Sequence, residues 1–161
     1  MDSIYLDNAS TTFPKPEPVA RAVYEYMTHA GSNINRGGYE SAYSVAESVF
    51  ETRQLLAELF HGGDCKNVVF TKNVTESLNV ILKGYLKPGD HILVSSMEHN
   101  AMMRPIRQLE AVGVAFDRIP CDDSSTLKPE ELERLLRPNT KAVAMLHASN
   151  VCGTVMPIGT V

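Results

Sequence analysis

Three compact polar stretches are the places where this sequence can do chemistry. They read TKNVTE at residues 71–76, SSMEHN at 95–100 and HASN at 147–150. Each combines hydroxyl, amide or imidazole groups, and each directly follows an apolar run. Side chains of these types bind anions, exchange protons near neutral pH and hydrogen-bond ring oxygens. Whether the three stretches lie close together depends on the helices and strands that carry them.

The first stretch fits either an anion site or an ordinary helix cap. A helix that begins near Thr75 leaves free backbone N–H groups and the positive end of its dipole, and these bind phosphate or carboxylate. The alternative is that Asn73 or Thr75 merely caps the helix, with Glu76 or Ser77 in support. Neither GxxxxGK[ST] nor GxGxxG occurs in the sequence, so a nucleoside triphosphate or dinucleotide site is not supported.

The other two stretches each present one residue suited to a flat ligand. The imidazole of His99 can stack on a planar ring or act as an acid or base, and the alternative is a turn histidine bonded to the backbone. Asn150 offers both a donor and an acceptor for a ring hydroxyl or phenolate oxygen, and the alternative is an Asx-turn. His147 is interpreted as structural, because it lies at the predicted end of a strand.

The elements predicted around these stretches alternate between strands and helices. The predicted strands are residues 67–71, 91–96, 114–119 and 141–147. The predicted helices are one that ends at Gly31, a longer one from Glu40 to Gly62, and residues 75–86, 101–112 and 129–137. Continuous apolar strands between amphipathic helices indicate an α/β fold with a largely parallel sheet flanked by helices. Ligands bind beyond the carboxyl ends of such strands, so the three stretches are expected to meet at one edge.

Composition restricts the class of protein. The chain has 161 residues, 43% of them hydrophobic and 21% charged, and a formal net charge of −4. These values indicate a globular protein with no nucleic-acid or membrane partner, and neither a membrane span nor a signal peptide is recognised, so a cytoplasmic location is expected. The cysteines, Cys65, Cys121 and Cys152, form no C-x-x-C pair, and each is expected to be a buried thiol. No metal site is predicted, because no H-E-x-x-H or other close ligand pair occurs.

Five motifs in order carry a resemblance to a known family. YLDNASTTFPKP, NRGGYE, VVFTKNVTESLN, SSMEHNA and HASNVCGTVMPI resemble the N-terminal half of the class V enzymes that depend on pyridoxal 5′-phosphate. Within that class the sequence is most similar to cysteine desulfurases and their selenocysteine lyase relatives. The resemblance implies a partial large domain of the fold type I transferases. Residues 1–39 would form the N-terminal arm and first helix, and residues 40–161 the first half of the cofactor-binding domain.

The resemblance also implies which residues hold pyridoxal 5′-phosphate. Val74 and Thr75 match the pair that holds the phosphate through a backbone N–H and a hydroxyl. His99 matches the histidine that stacks on the pyridine ring and assists proton transfer, so it is the predicted catalytic residue. Asn150 matches the asparagine that bonds the phenolic oxygen of the ring.

The remaining residues of the family's site either have weak matches in this sequence or lie nearer the C-terminus of the family's chain. Asn8, Asn35 and Arg36 lie in segments that reach the substrate side in the family. The Schiff-base lysine, the aspartate at the ring nitrogen, the sulfur-accepting cysteine and the arginine for the substrate carboxylate all follow later, and Lys72 is interpreted as a solvated loop lysine. The chain by itself is therefore expected to be an inactive fragment with half a site.

The reaction implied for the parent protein is the conversion of L-cysteine to L-alanine with sulfur passed to a protein thiol. The implied context is sulfur metabolism and iron–sulfur cluster assembly, with a homodimer as the working unit and a sulfur-acceptor protein as a partner. Two alternatives stay open. One is another class V enzyme, an aminotransferase or a selenocysteine lyase, and the other is a non-catalytic α/β binding or scaffold module.

Overall fold

The computed structural model describes residues 4–34 and 37–161. The contacts divide the chain into two compact units, of which the first ends at Phe70 and the second comprises Thr71–Val161. The division at residues 39 and 40 that the resemblance implies stays a prediction. None of the helices in the described ranges is both long and apolar enough to cross a membrane.

The first unit is helical. Helix α1 spans Glu17–Glu25 and continues as a π-helical turn over Tyr26–Ala30. It ends at Gly31, whose backbone is left-handed with a φ of 33°, as the sequence predicts. Helix α2 spans Glu40–Leu59, and the N–H of Gly62 donates to the carbonyl of Ala57 at 2.7 Å beyond its end. Both predicted helices of this unit are therefore confirmed.

The second unit contains a parallel sheet with helices packed on it. Its three strands pair in the order β2-β1-β3, and both pairings are parallel. All five residues of the central strand are buried, because its run HILVS is covered on both faces, whereas the two edge strands are partly exposed. The strands are β1 His91–Ser95, β2 Ala115–Ile119 and β3 Thr140–Ala144, and the helices are α3 Val74–Tyr85, α4 Asn100–Glu110 and α5 Glu130–Leu135.

The predicted strand at residues 67–71 is wrong. A short 3₁₀ turn occupies Cys65–Asn67, and the carboxylate of Asp64 caps it by accepting from the N–H of Lys66 at 2.9 Å. Val68, directly after that turn, has an extended backbone, but no strand of the described chain pairs with this segment, and Val69 is 76% exposed. A β-strand requires a partner for its backbone groups, and an apolar run such as NVVF does not by itself provide one.

The core of the second unit consists of two layers on opposite faces of β1. Ile92 and Val94 point into the layer under α3 and α4, whereas Leu93 between them points into the other layer, because successive side chains of a strand alternate. The first layer contains the buried residues Leu82, Leu86, Met102, Ile106, Leu109 and Val114. The second contains Ile119, Leu127 and Met156, with Leu132 and Leu135 of α5 packed against it. The predicted α/β fold is confirmed.

Candidate functional site

The start of α3 is a capped helix terminus. The side-chain oxygen of Asn73 accepts a hydrogen bond from the N–H of Glu76 at 2.9 Å. In return the carboxylate of Glu76 accepts from the N–H of Lys72 at 2.7 Å. The hydroxyl of Thr71 lies 2.5 Å from that of Ser77 and donates to the carbonyl of Asn73. The cap that the sequence offered as one alternative is therefore present.

The cap leaves two donors unused. The backbone N–H groups of Val74 and Thr75, the first two residues of α3, have no acceptor among the described residues. Both residues are exposed, and Val74 is 70% exposed. Free N–H groups at the positive end of a helix dipole attract anions. The terminus is consequently a cap and a potential anion site at once, because the two interpretations use different N–H groups.

His99 forms the corner between β1 and α4. Its Nδ1 accepts a hydrogen bond from the N–H of Ala101 at 3.0 Å and so caps α4. An accepting Nδ1 places the proton of the neutral ring on Nε2, and the described residues supply no partner for that nitrogen. The side chain is exposed. The backbone bond that the sequence offered as the alternative therefore orients the ring and leaves its other nitrogen available.

Glu98 joins two strand ends, and the sequence interpretation assigned it no role. Its Oε1 accepts from the hydroxyl of Ser95 at 2.6 Å and from the N–H of Leu146 at 2.8 Å. Ser95 ends β1, whereas Leu146 follows β3, so one carboxylate holds the SSMEHN corner against the start of the HASN stretch. A carboxylate in a turn between a buried strand and a helix is the one signal that points to this role.

The first two polar stretches open into the same cavity of 410 Å³ between α3 and α4. Its volume lies within the range of about 300 to 1,000 Å³ that small-molecule sites occupy. The residues that line it include Thr75, Asn79 and Lys83 from α3 and His99, Arg104 and Gln108 from the α4 side. The structure therefore brings Thr75 and His99 together, whereas Val74 and Asn150 do not line this cavity.

Asn150 lies in the turn that follows β3. The turn is held by the buried Ser149, whose N–H donates to the carbonyl of Thr154 at 2.9 Å, and by Gly153, whose N–H donates back to the carbonyl of Ser149. Asn150 itself is exposed. Hydrogen bonds with the hydroxyls of Ser149 and Thr154 lower the pKa of the exposed Cys152 thiol to about 6. The expectation that Cys152 is buried is wrong, because it occupies the tip of this turn.

The remaining thiols and the lysine are unremarkable in their surroundings. Cys65 and Cys121 are partly buried and, like Cys152, free, so the expectation of a buried thiol is wrong for each. Lys72 is exposed, as expected of a loop lysine. Within residues 4–34 and 37–161, no group of three or more His, Cys, Asp or Glu side chains is arranged to hold a metal ion.

The residues expected on the substrate side are only partly described. Asn8 lies in the first unit, where its side-chain oxygen accepts from the N–H of Phe13 at 2.9 Å and so organises its own loop. Asn35 and Arg36 lie outside the described residues. A substrate role for these three residues stays a prediction.

Comparisons with known proteins agree with the resemblance. A family model described as Aminotransferase class-V matches residues 4–161. A probable cysteine desulfurase of Mycolicibacterium paratuberculosis is 36% identical over 160 residues, which are 96% of this chain and 23% of that protein. The apo structure of a cysteine desulfurase from Thermococcus onnurineus NA1 has a TM-score of 0.86 at 31% identity over 98% of this chain and 40% of its own.

A structure of SspA in complex with cysteine also has a TM-score of 0.86, at 25% identity, and the match covers 98% of this chain and 46% of that one. The chain therefore spans less than half the length of each of these three proteins.

Proposed function

Because the chain belongs to the class-V aminotransferase family, we propose that it forms the phosphate-binding and ring-covering part of a cysteine desulfurase-like enzyme that uses pyridoxal 5′-phosphate. The observation that carries the proposal is the pair of unused N–H groups at the start of α3, in Val74 and Thr75, beside a cavity that Thr75 shares with His99. The activity of the longer protein is part of the proposal, since the chain spans less than half the length of the relatives compared above.

The start of α3 fits the phosphate of this cofactor. Three donors lie there, namely the N–H of Val74, the N–H of Thr75 and the hydroxyl of Thr75. Hydrogen bonds from such donors to a phosphate are charge-assisted and short, and the helix dipole adds to them. These three donors are called the phosphate seat below. The carbonyl of Thr75 accepts a hydrogen bond from the side chain of Asn79 at 2.9 Å, which holds the helical turn behind the seat in place.

His99 would cover the pyridine ring. Its Nδ1 is occupied by the N–H of Ala101, so the ring is oriented by the backbone of α4 and presents Nε2–H to a ligand. In the neutral state Nε2 donates a hydrogen bond. A role as a proton carrier requires the ring to exchange a proton with the substrate.

Asn150 would hydrogen-bond the phenolic oxygen of the ring. Glu98 supports this arrangement, because its carboxylate ties the corner that carries His99 to Leu146, just before the turn that carries Asn150. When bound, pyridoxal 5′-phosphate supplies the electron sink for chemistry at an amino acid, and the protein supplies orientation. These residues of the chain bind and orient, whereas the group that attaches the cofactor covalently is expected elsewhere.

The substrate, partner and assembly of the longer protein are proposed from its similarity to cysteine desulfurases. L-cysteine is the proposed substrate, with a protein thiol as the sulfur acceptor and a homodimer as the working unit, in a cytoplasmic pathway such as iron–sulfur cluster assembly. Support for the substrate comes from the relatives, which are cysteine desulfurases, and from the neighbour SspA, which binds cysteine.

The phosphate seat is tested by removing one N–H without disturbing the helix. Val74 is the first residue of α3, and the preceding Asn73 is extended with a φ of −168° and a ψ of 168°. Proline is tolerated at that first position, and an extended residue before it is compatible with proline. We therefore expect Val74→Pro to fold normally and to bind pyridoxal 5′-phosphate roughly tenfold more weakly, the loss of one charge-assisted hydrogen bond.

Val74→Ala is the matched control, since it loses the same side chain and keeps the N–H. Binding is measured by amide NMR titration with pyridoxal 5′-phosphate and with pyridoxal, which has no phosphate. We expect the wild type to prefer the phosphorylated ligand and to shift the amide signals of Thr75 and His99. Equal affinity of Val74→Pro and Val74→Ala would contradict the proposed seat, and the absence of any ligand-dependent shift would favour a non-catalytic module.

A further inference from the structure

The cavity between α3 and α4 extends beyond the phosphate seat. Thr75, Asn79 and Lys83 are four residues apart along α3 and therefore lie on one face of that helix. Eight residues of helix span about 12 Å, so the backbone of Lys83 lies about that far from the backbone of Thr75. Arg104 lines the same cavity from α4. The cavity thus has an anion-binding end at Thr75 and an extension lined by Lys83 and Arg104, which is called the cationic arm below.

The two cations of this arm are not neutralised. Among the described residues neither Lys83 nor Arg104 forms an ion pair or a side-chain hydrogen bond. Arg107, one turn along the same α4 helix, instead pairs with Glu110 at 2.7 Å. Among the described residues, none of those that line the cavity is an aspartate or glutamate. Two exposed positive charges therefore face one open cavity without a balancing carboxylate in its lining.

Such an arrangement acts on an anion before it binds. Charges of one sign along a cleft raise the local concentration of an oppositely charged ligand and its association rate. The effect extends over about one Debye length, roughly 8 to 10 Å at moderate salt, which is comparable with the length of the arm. It is strongest for a phosphate ester, because such a group carries up to two negative charges.

We propose that Lys83 and Arg104 steer dianionic phosphate esters along the α3–α4 cavity to the start of α3, and so set the rate at which the cofactor loads. This inference rests on the proposed function, since it concerns the same ligand. The two residues are positioning residues. They act on the approach of the ligand and make no contact with its reacting atoms, so their effect falls on the association rate and not on the dissociation rate.

The test compares the double variant Lys83→Gln/Arg104→Gln with the control Lys87→Gln/Lys141→Gln. The control removes the same charge from two exposed lysines of the second unit that do not line the cavity. Stopped-flow fluorescence follows the association of pyridoxal 5′-phosphate with the chain at increasing sodium chloride concentration. Circular dichroism verifies that each variant is folded, and the single variants Lys83→Gln and Arg104→Gln provide a second comparison.

We expect the double variant to associate roughly tenfold more slowly at low salt and to lose most of its salt dependence, with a dissociation rate close to that of the wild type. The control is expected to associate at nearly the wild-type rate. Equal association rates in the double variant and the control would overturn the inference while leaving phosphate-dependent binding intact. If the wild type does not prefer pyridoxal 5′-phosphate to pyridoxal, the proposed function fails, and the inference fails with it.

Discussion

The two ends of β1 each present a histidine, and the protein holds them in opposite ways. His91 begins the strand and is fully buried, with Nδ1 2.8 Å from the hydroxyl of Thr140 and Nε2 3.3 Å from Asp117. His99 follows the other end and is exposed, and its one bond to the described residues is made by Nδ1, as the acceptor for Ala101. One end of the sheet surrounds its imidazole with protein groups, whereas the other leaves a nitrogen open.

The surroundings of His91 define its protonation. The Thr140 hydroxyl accepts from the N–H of Arg137, so it is free to donate its own proton to Nδ1 of His91. The remaining proton of the neutral ring is then on Nε2, which lies 3.3 Å from Asp117 without the geometry of a hydrogen bond, and Asp117 also pairs with Arg137. Burial and the charge of Arg137 lower the pKa of His91 and outweigh the opposing effect of Asp117. His91 is therefore a neutral structural residue near pH 7.

This comparison indicates how to separate a structural histidine from a functional one in this fold. The amino end of β1 lies between two neighbouring strands, and in the β3 pairing His91 is opposite Thr140, so side chains from both neighbours surround the ring and Thr140 hydrogen-bonds its Nδ1. The carboxyl end passes into a corner, where such neighbours are not available to His99. Buried polar groups require partners, whereas exposed ones leave donors for ligands.

Removal of the buried ring is expected to have the largest effect. His91→Ala should lower the free energy of unfolding by about 2 to 4 kcal/mol, because it opens a cavity and leaves the Thr140 hydroxyl without the acceptor at Nδ1. Urea denaturation measures this change. His99→Ala is the comparison at the other end of β1 and should cost less than about 1 kcal/mol, the value of an exposed capping bond. Similar losses from both variants would contradict the distinction between the two histidines.

The next largest effect is expected at the carboxylate that joins the strand ends. Glu98→Ala removes the acceptor shared by Ser95 and Leu146 and should lower the free energy of unfolding by about 1.5 to 3 kcal/mol. Glu98→Gln keeps an oxygen that can accept from the same two donors, so it should lose less than Glu98→Ala. Denaturant melts of both variants measure the difference.

Ligand binding provides a second test of the role of Glu98. If it holds the two corners together, Glu98→Ala should weaken the binding of pyridoxal 5′-phosphate, whereas His91→Ala should leave binding unchanged as long as the chain is folded. Amide NMR titration of both variants decides this. A Glu98→Ala chain that binds the ligand like the wild type would show that the corner is held by other contacts.

The smallest effect concerns pH. The pKa of His91 is lowered in the folded state from its ordinary value of 6.5, so the unfolded chain binds the proton more readily. The stability contribution of the neutral ring is therefore present above pH 6.5 and decreases as the pH falls below that value. Unfolding midpoints in urea at pH 7.5 and 5.5 measure this trend, and His91→Gln should reduce it. An undiminished trend in His91→Gln would assign it to other groups.

The local pattern of the sequence was sufficient to predict most elements of the fold. The apolar runs around Leu93, Phe116 and Val143 predicted three strands, and all three form. The run at residues 67–71 has the same apolar character but remains unpaired in the described chain, because strand pairing depends on residues distant in sequence. The start of α3 was likewise predicted as either a cap or an anion site, and both features are present in its geometry.

The sequence alone determined the alternation of helices and strands, the residue types at each strand end and the family, because periodicity, capping and ordered motifs are local properties of the chain. The tertiary structure alone decided that Thr75 and His99 share a cavity, that Glu98 links β1 to the end of β3, and that His91 is buried while His99 is open. The physical reason is that burial, charge pairing and hydrogen-bond partners depend on residues that lie far apart in sequence and become neighbours only when the sheet forms.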